Sequence, residues 1–78
     1  MKYIVIELQK NSDGSVGNLV YAYNTRAQAE SKYYAILSSA AVSSVPVHSA
    51  IIIQEDAMPV AYKSFTHNVQ AEAGSNNE

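Results

Sequence analysis

Apolar residues alternate with others through residues 2–9, placing Ile4, Ile6 and Leu8 on one side and Tyr3, Val5 and Glu7 on the other. This is the period-two signature of a β-strand, and the β-branched and aromatic residues reinforce it. Residues 10–17 then concentrate Asn11, Asp13, Gly14 and Gly17, residue types that supply the positive-φ positions of a hairpin loop. A second strand is expected over residues 18–23, pairing antiparallel with the first across so short a connection. Thr25, followed three residues later by Gln28, forms a weak capping box and opens a helix over residues 26–42. At 100° per residue, Ala29, Tyr33, Ile36, Leu37 and Ala40 share one face, with Gln28, Ser31, Lys32, Ser38 and Ser39 turned away from it. Ala27, Tyr34 and Ala41 make a second stripe with no obvious internal partner. Ser43, Ser44 and Pro46 end the helix.

Residues 47–54 predict a third strand in which Ile51, Ile52 and Ile53 are continuous, as expected where both sheet faces are covered. Residues 55–59 turn the chain, and residues 60–66 form a fourth strand. From about Gln70 the sequence has no periodic apolar residue, which predicts a disordered tail over 70–78 after a single domain over 1–69. The fold expected is α+β: two layers, a four-stranded, mainly antiparallel sheet with one helix on one face, in ββαββ order. Alternation leaves strand order open. One helix covers only one sheet face, so the remaining apolar set, Tyr3, Val5, Tyr21, Tyr23, Ala50, Ile52 and Phe65, is expected on the face away from the helix. Tyr21 and Tyr23 depend on the facing of the second strand, which a one-residue slip reverses.

Composition changes the picture in one respect. The chain has 78 residues, 47% of them hydrophobic and 15% charged, so it folds, yet it is about half the usual domain size. Domains this small bury a modest core and commonly rely on a staple. With no cysteine, neither a disulfide nor a cysteine zinc site can serve, and self-association becomes the first expectation. The net charge is −2, but Glu72 and Glu78 fall in the expected tail, leaving the folded part neutral. Lys2, Lys10, Arg26, Lys32 and Lys63 are scattered, which disfavours electrostatic binding to nucleic acid. Glu7 interrupts the apolar amino-terminal run and no small-residue cleavage site follows, so that segment reads as a strand. No apolar stretch approaches the ~20 residues a membrane helix needs. A cytoplasmic setting is expected.

An uncovered apolar face on a small domain marks a partner surface, and the expected partner is a second copy, as a homodimer or larger homo-oligomer, or another protein. The residues expected there are Tyr3, Val5, Tyr21, Tyr23, Ile52 and Phe65. The rival reading is a small planar ligand such as a nucleotide, stacked on the same aromatics with Lys63 or Arg26 supplying charge. A single-strand RNA reading is disfavoured on three counts: the glycine-and-aromatic consensus of that sheet module is absent, its element order differs, and the surround is not basic.

His48 and His67 become approximate cross-strand neighbours if the last hairpin pivots near Ala57 and Met58. Two histidines fall short of the three or four ligands zinc requires, and the nearest same-face candidate, Glu7, depends on strand order. Strand-end histidines, bonded or solvated, are the simpler expectation. The many serines sit in no nucleophile elbow, Glu55 and Asp56 adjoin a turn, and the glycine-bearing DGSVG lacks the lysine of a phosphate loop. No catalytic residue and no cofactor are assigned, and the chain is not expected to be an enzyme.

The segments KYIVIELQ, DGSVGNLVYAY and RAQAESKYYAILSSAAVSSVPVHSA resemble a small family of uncharacterised proteins of gut Firmicutes and their phages or mobile elements. The resemblance spans nearly all of the expected domain. It implies a bacterial or phage cytosolic setting and carries no activity, ligand or site residue.

Overall fold

The computed structural model describes residues 1–67; the tail expected over 70–78 and the end of the expected domain lie outside the described residues. Five elements follow one another: β1 (Tyr3–Lys10), β2 (Val16–Tyr23), α1 (Arg26–Ala41), β3 (Val47–Gln54) and β4 (Pro59–Thr66). The strands form one sheet in the order β2-β1-β3-β4, every neighbouring pair antiparallel. The α+β, ββαββ architecture is therefore the one the alternation predicts.

Local chemistry sets the boundaries. The first hairpin is tighter than expected, because Gly14 takes a φ of +88° and its N–H donates to the Asn11 carbonyl at 2.9 Å. Asp13 Oδ1 accepts from both the N–H and the hydroxyl of Ser15. β2 consequently begins at Val16, and Gly17 lies inside the strand opposite Gln9. Thr25 caps α1, its hydroxyl accepting the Gln28 N–H at 3.2 Å. The last hairpin turns through Ala57 at a φ of +73°, with bonds from Ala57 N–H to the Gln54 carbonyl and from Gln54 N–H to that of Met58. A register shift between Ile52 and Ile53 follows, so that Val60 is the extra residue of β4.

Residues opposite one another on paired strands share a sheet face, so the register sorts the side chains completely. Rows on one face are Tyr23–Tyr3–Gln54, Tyr21–Val5–Ile52–Ala61, Leu19–Glu7–Ala50–Lys63 and Gly17–Gln9–His48–Phe65. This is the face α1 covers: Val5, Ala50 and Ile52 form the buried cluster with Ala29, Tyr33 and Ile36 of the helix. Ala29 and Ala40, both fully buried, let the helix backbone approach the strands closely. Burial pushes the Tyr33 hydroxyl above its ordinary pKa, with the neighbouring Tyr34 adding to the effect.

The placement corrects the sequence expectation. Tyr3, Val5, Tyr21, Tyr23, Ile52 and Phe65 lie on the helix-covered face, and the set Ile4, Ile6, Leu8 lies on the open one. The reason is topological. β2 and β3 are both antiparallel to β1, so they are parallel to each other and α1 is a crossover between them. Such crossovers strongly prefer one hand, so the helix's side follows from strand order, which alternation does not encode.

Candidate functional site

The open face carries the remaining rows: Ala22–Ile4–Ile53–Pro59, Val20–Ile6–Ile51–Tyr62, Asn18–Leu8–Ser49–Ser64 and Val16–Lys10–Val47–Thr66. Nine apolar side chains of valine size or larger, Ile4, Ile6, Leu8, Val16, Val20, Val47, Ile51, Ile53 and Tyr62, gather there. Within these four rows Lys10 is the single charge, with Lys2 and Glu55 just beyond the Ile4 row. Val20 is 60% exposed and Tyr62 76%. Ile4, Ile6, Ile51 and Ile53 are half-buried by one another alone, since no element of the described residues covers this side. A shallow groove of about 260 Å³ runs between Leu8, Ile51, Tyr62, Ser49 and Ser64. The apolar rows lie towards the β3–β4 turn, and the serine and asparagine row lies towards the β1–β2 loop.

The residues expected to form the working surface have other duties. Val5 and Ile52 are fully buried and belong to the core. Tyr3, Tyr21 and Tyr23 pack at the rim of that core, and Lys32 of the helix lies over the Tyr21 ring at 4.3 Å. Phe65 is half-buried at the end of the covered face, stacked on His67 with ring centroids 6.4 Å apart, and Lys63 Nζ lies 5.2 Å from its centre. Tyr21, Phe65 and Lys63 therefore do not form one free stacking platform.

The two histidines are not direct cross-strand partners, because the turn pivots nearer Asp56 than Ala57 and Met58, and the register sets Phe65 opposite His48. His67 instead donates from Nε2 to the Ala40 carbonyl at 2.7 Å, closing the carboxyl end of α1. His48 donates from Nε2 to Oε2 of Glu7 at 2.6 Å, and Gln9 Nε2 donates to the same oxygen at 3.2 Å. Both ends of the Glu7–His48 pair are largely buried, with side chains 13% and 6% exposed. His48 Nδ1 is buried with no hydrogen-bond partner among the described residues. Sequence reasoning named both His48 and Glu7 but left their meeting to the strand order, which brings β1 beside β3. One signal was available: Glu7, Gln9 and His48 are polar positions on alternating sets that also carry the core residues Val5, Ala50 and Ile52. Among the described residues no group of three or more His, Cys, Asp or Glu side chains is placed to hold a metal.

No helix of the described residues is long and apolar enough to cross a membrane. No family model, no curated protein and no solved structure matches the chain.

Proposed function

We propose that this protein is a non-enzymatic homo-oligomer whose subunits associate through the open sheet face, acting as a binding or interaction module. One observation carries this reading: nine apolar side chains of valine size or larger share a face uncovered among the described residues, whose four strand rows hold a single charge, Lys10. So apolar a surface offers little to a highly charged partner such as nucleic acid. A second copy of the same largely apolar face matches it.

Area and stability point the same way. Four strands of eight residues, at ~3.3 Å per residue and ~4.8 Å between strands, give a face of roughly 500 Å² in projection. Side-chain relief raises the accessible surface above that projection, towards the ~800 Å² per partner of a specific interface. The buried apolar core, moreover, is Val5, Ala29, Tyr33, Ile36, Ala40, Ala50 and Ile52, and three of these are alanines that bury little. Stacking two open faces supplies a second core that the single chain lacks. The small-ligand alternative loses support because its aromatics line the helix side. The resemblance noted above adds a bacterial or phage cytosolic setting to the proposal.

The test is the absolute mass in solution, by light scattering over a concentration series, for wild type and Ile51→Glu. Ile51 sits between Ile6 and Tyr62 at the centre of the open face. Multimeric wild type whose mass falls in Ile51→Glu, with the circular dichroism spectrum retained, supports the reading. A wild type that is monomeric at every concentration sinks it.

A further inference from the structure

The two edges of the sheet differ in a way the open face does not explain. β4 is guarded: it starts at Pro59, carries the register shift at Val60 and bears Lys63. These are the devices by which edge strands are kept from pairing with other chains. β2, VGNLVYAY, has none of them. Its eight residues include no charge and no proline, and its ladder with β1 is regular from end to end. Val16 and Val20 on the open side and Leu19 on the helix side are 63%, 60% and 53% exposed. Apolar side chains therefore flank this edge on both faces.

The backbone of β2 is also correctly presented. In an antiparallel ladder the hydrogen-bonding direction alternates with each residue. The Asn11 N–H donates to the Ser15 carbonyl at 2.8 Å, so Gly17, Leu19, Tyr21 and Tyr23 turn their backbone groups towards β1. Val16, Asn18, Val20 and Ala22 turn theirs outward.

We infer that the β2 edge is a second self-association surface, pairing antiparallel with β2 of another copy about a two-fold axis perpendicular to the sheet. That axis keeps both helices on one side and merges two four-stranded sheets into one of eight strands. Because opposed residues must share a face, the axis passes through a residue rather than between two. Centred on Val20, whose backbone groups point outward, it sets Val20 against its own copy, Leu19 against Tyr21, and Gly17 against Tyr23. The last pairing lays an aromatic ring over a glycine that has no side chain to bury, a recurrent stabilising device on strands. Among the described residues nothing within 4 Å would meet a Cβ at Gly17, which leaves space for that ring.

This inference goes beyond the face-stacking reading and is independent of it. If both hold, and the stacking axis runs across the strands along the Val20–Ile6–Ile51–Tyr62 row, it meets the edge axis at right angles, which closes a tetramer of two eight-stranded sheets packed by their open faces.

The experiment measures mass by light scattering for wild type, Ile51→Glu, Val20→Pro and Leu19→Lys. Val20→Pro removes an outward N–H that β1 does not use, though Val20 also lies on the open face. Leu19→Lys charges the helix side of the edge without touching that face and so separates the two surfaces. If Leu19→Lys disrupts folding, the interchain disulfide of Val20→Cys in the Ile51→Glu background supplies the reading. Wild type is expected at four times the 8.5 kDa chain mass, each edge variant at half that mass, and Ile51→Glu also at half. Val20→Cys is expected to form an interchain disulfide on oxidation, still formed in the Ile51→Glu background. Edge variants that keep the wild-type mass, or an Ile51→Glu variant that falls to single chains, would overturn the edge inference while leaving the face reading in place. A dimeric wild type split by the edge variants alone would support the edge and overturn the face. A monomeric wild type overturns both.

Discussion

His48 on β3 places its Nε2 2.6 Å from Oε2 of Glu7 on β1, joining the two central strands on the helix-covered side. Nδ1 of the same ring is buried without a partner among the described residues, so the imidazole is held by one strong contact. Removing one member of a largely buried pair strands the other, at a cost of roughly 3 kcal/mol. Glu7→Leu and His48→Leu are each expected to destabilise by about that amount in urea unfolding. The double variant should lose markedly less than the sum, with a coupling of about 1–3 kcal/mol. Additive losses would mean that the contact contributes nothing beyond the packing of its two side chains.

The same pair shows where sequence reasoning reaches and where it stops. The helix was legible, because Ala29, Tyr33, Ile36 and Ala40 recur at helical spacing and all four are buried. Strand existence was legible too, with the first hairpin misplaced by two residues because Gly14, not Gly17, supplies the left-handed turn. The side taken by the helix was not. In β1 both alternating sets are apolar, Val5 against Ile4 and Ile6, and in β3 Ile51, Ile52 and Ile53 fill both faces, so patterning offers no preference. Only the order β2-β1-β3-β4 breaks the tie, and the same order brings Glu7 to His48.

Ala57 holds a φ of +73° in the β3–β4 turn. A residue with a Cβ spends about 1–2 kcal/mol in that region, whereas glycine occupies it freely and loses only ~0.5–1 kcal/mol more chain entropy on folding. Ala57→Gly is therefore expected to stabilise by about 0.5–1 kcal/mol, raising Tm by several degrees in a domain this small. Ala57→Val should do the reverse, since a branched Cβ tolerates the conformation less well. Calorimetry on the three proteins decides it, and an unchanged or lowered Tm for the glycine variant refutes the account of the turn.

Asp13 gives the first hairpin its pH dependence. The Ser15 hydroxyl, and then the Ser15 N–H, donate to its carboxylate and hold its pKa below the ordinary 3.8. A carboxyl whose folded pKa is depressed contributes stability above its unfolded pKa, and that contribution fades as pH falls through the folded value. Loosening of residues 11–15 is thus expected only below pH 3.8. An NMR titration of the Asp13 side chain should place its midpoint below 3.8, and Ser15→Ala should move it upward. A midpoint insensitive to Ser15→Ala would assign the shift to another source.

Neighbouring isoleucines should respond oppositely to one charge. Ile52 is fully buried against Ala29, Tyr33 and Ile36, while Ile51, one step along the strand, faces the open side between Ile6 and Tyr62. Ile52→Glu puts an unpaired carboxylate into a core that supplies only ~3–5 kcal/mol, and the burial cost of such a group exceeds that. The variant is expected to be unfolded at neutral pH by circular dichroism. Ile51→Glu leaves its carboxylate in water once subunits separate, so the chain should remain folded and lose self-association instead. Even the milder Ile52→Val should cost about 0.5–1.5 kcal/mol through the cavity it opens. A folded, still-associated Ile52→Glu beside an unfolded Ile51→Glu would mean that the helix lies on the other face of the sheet.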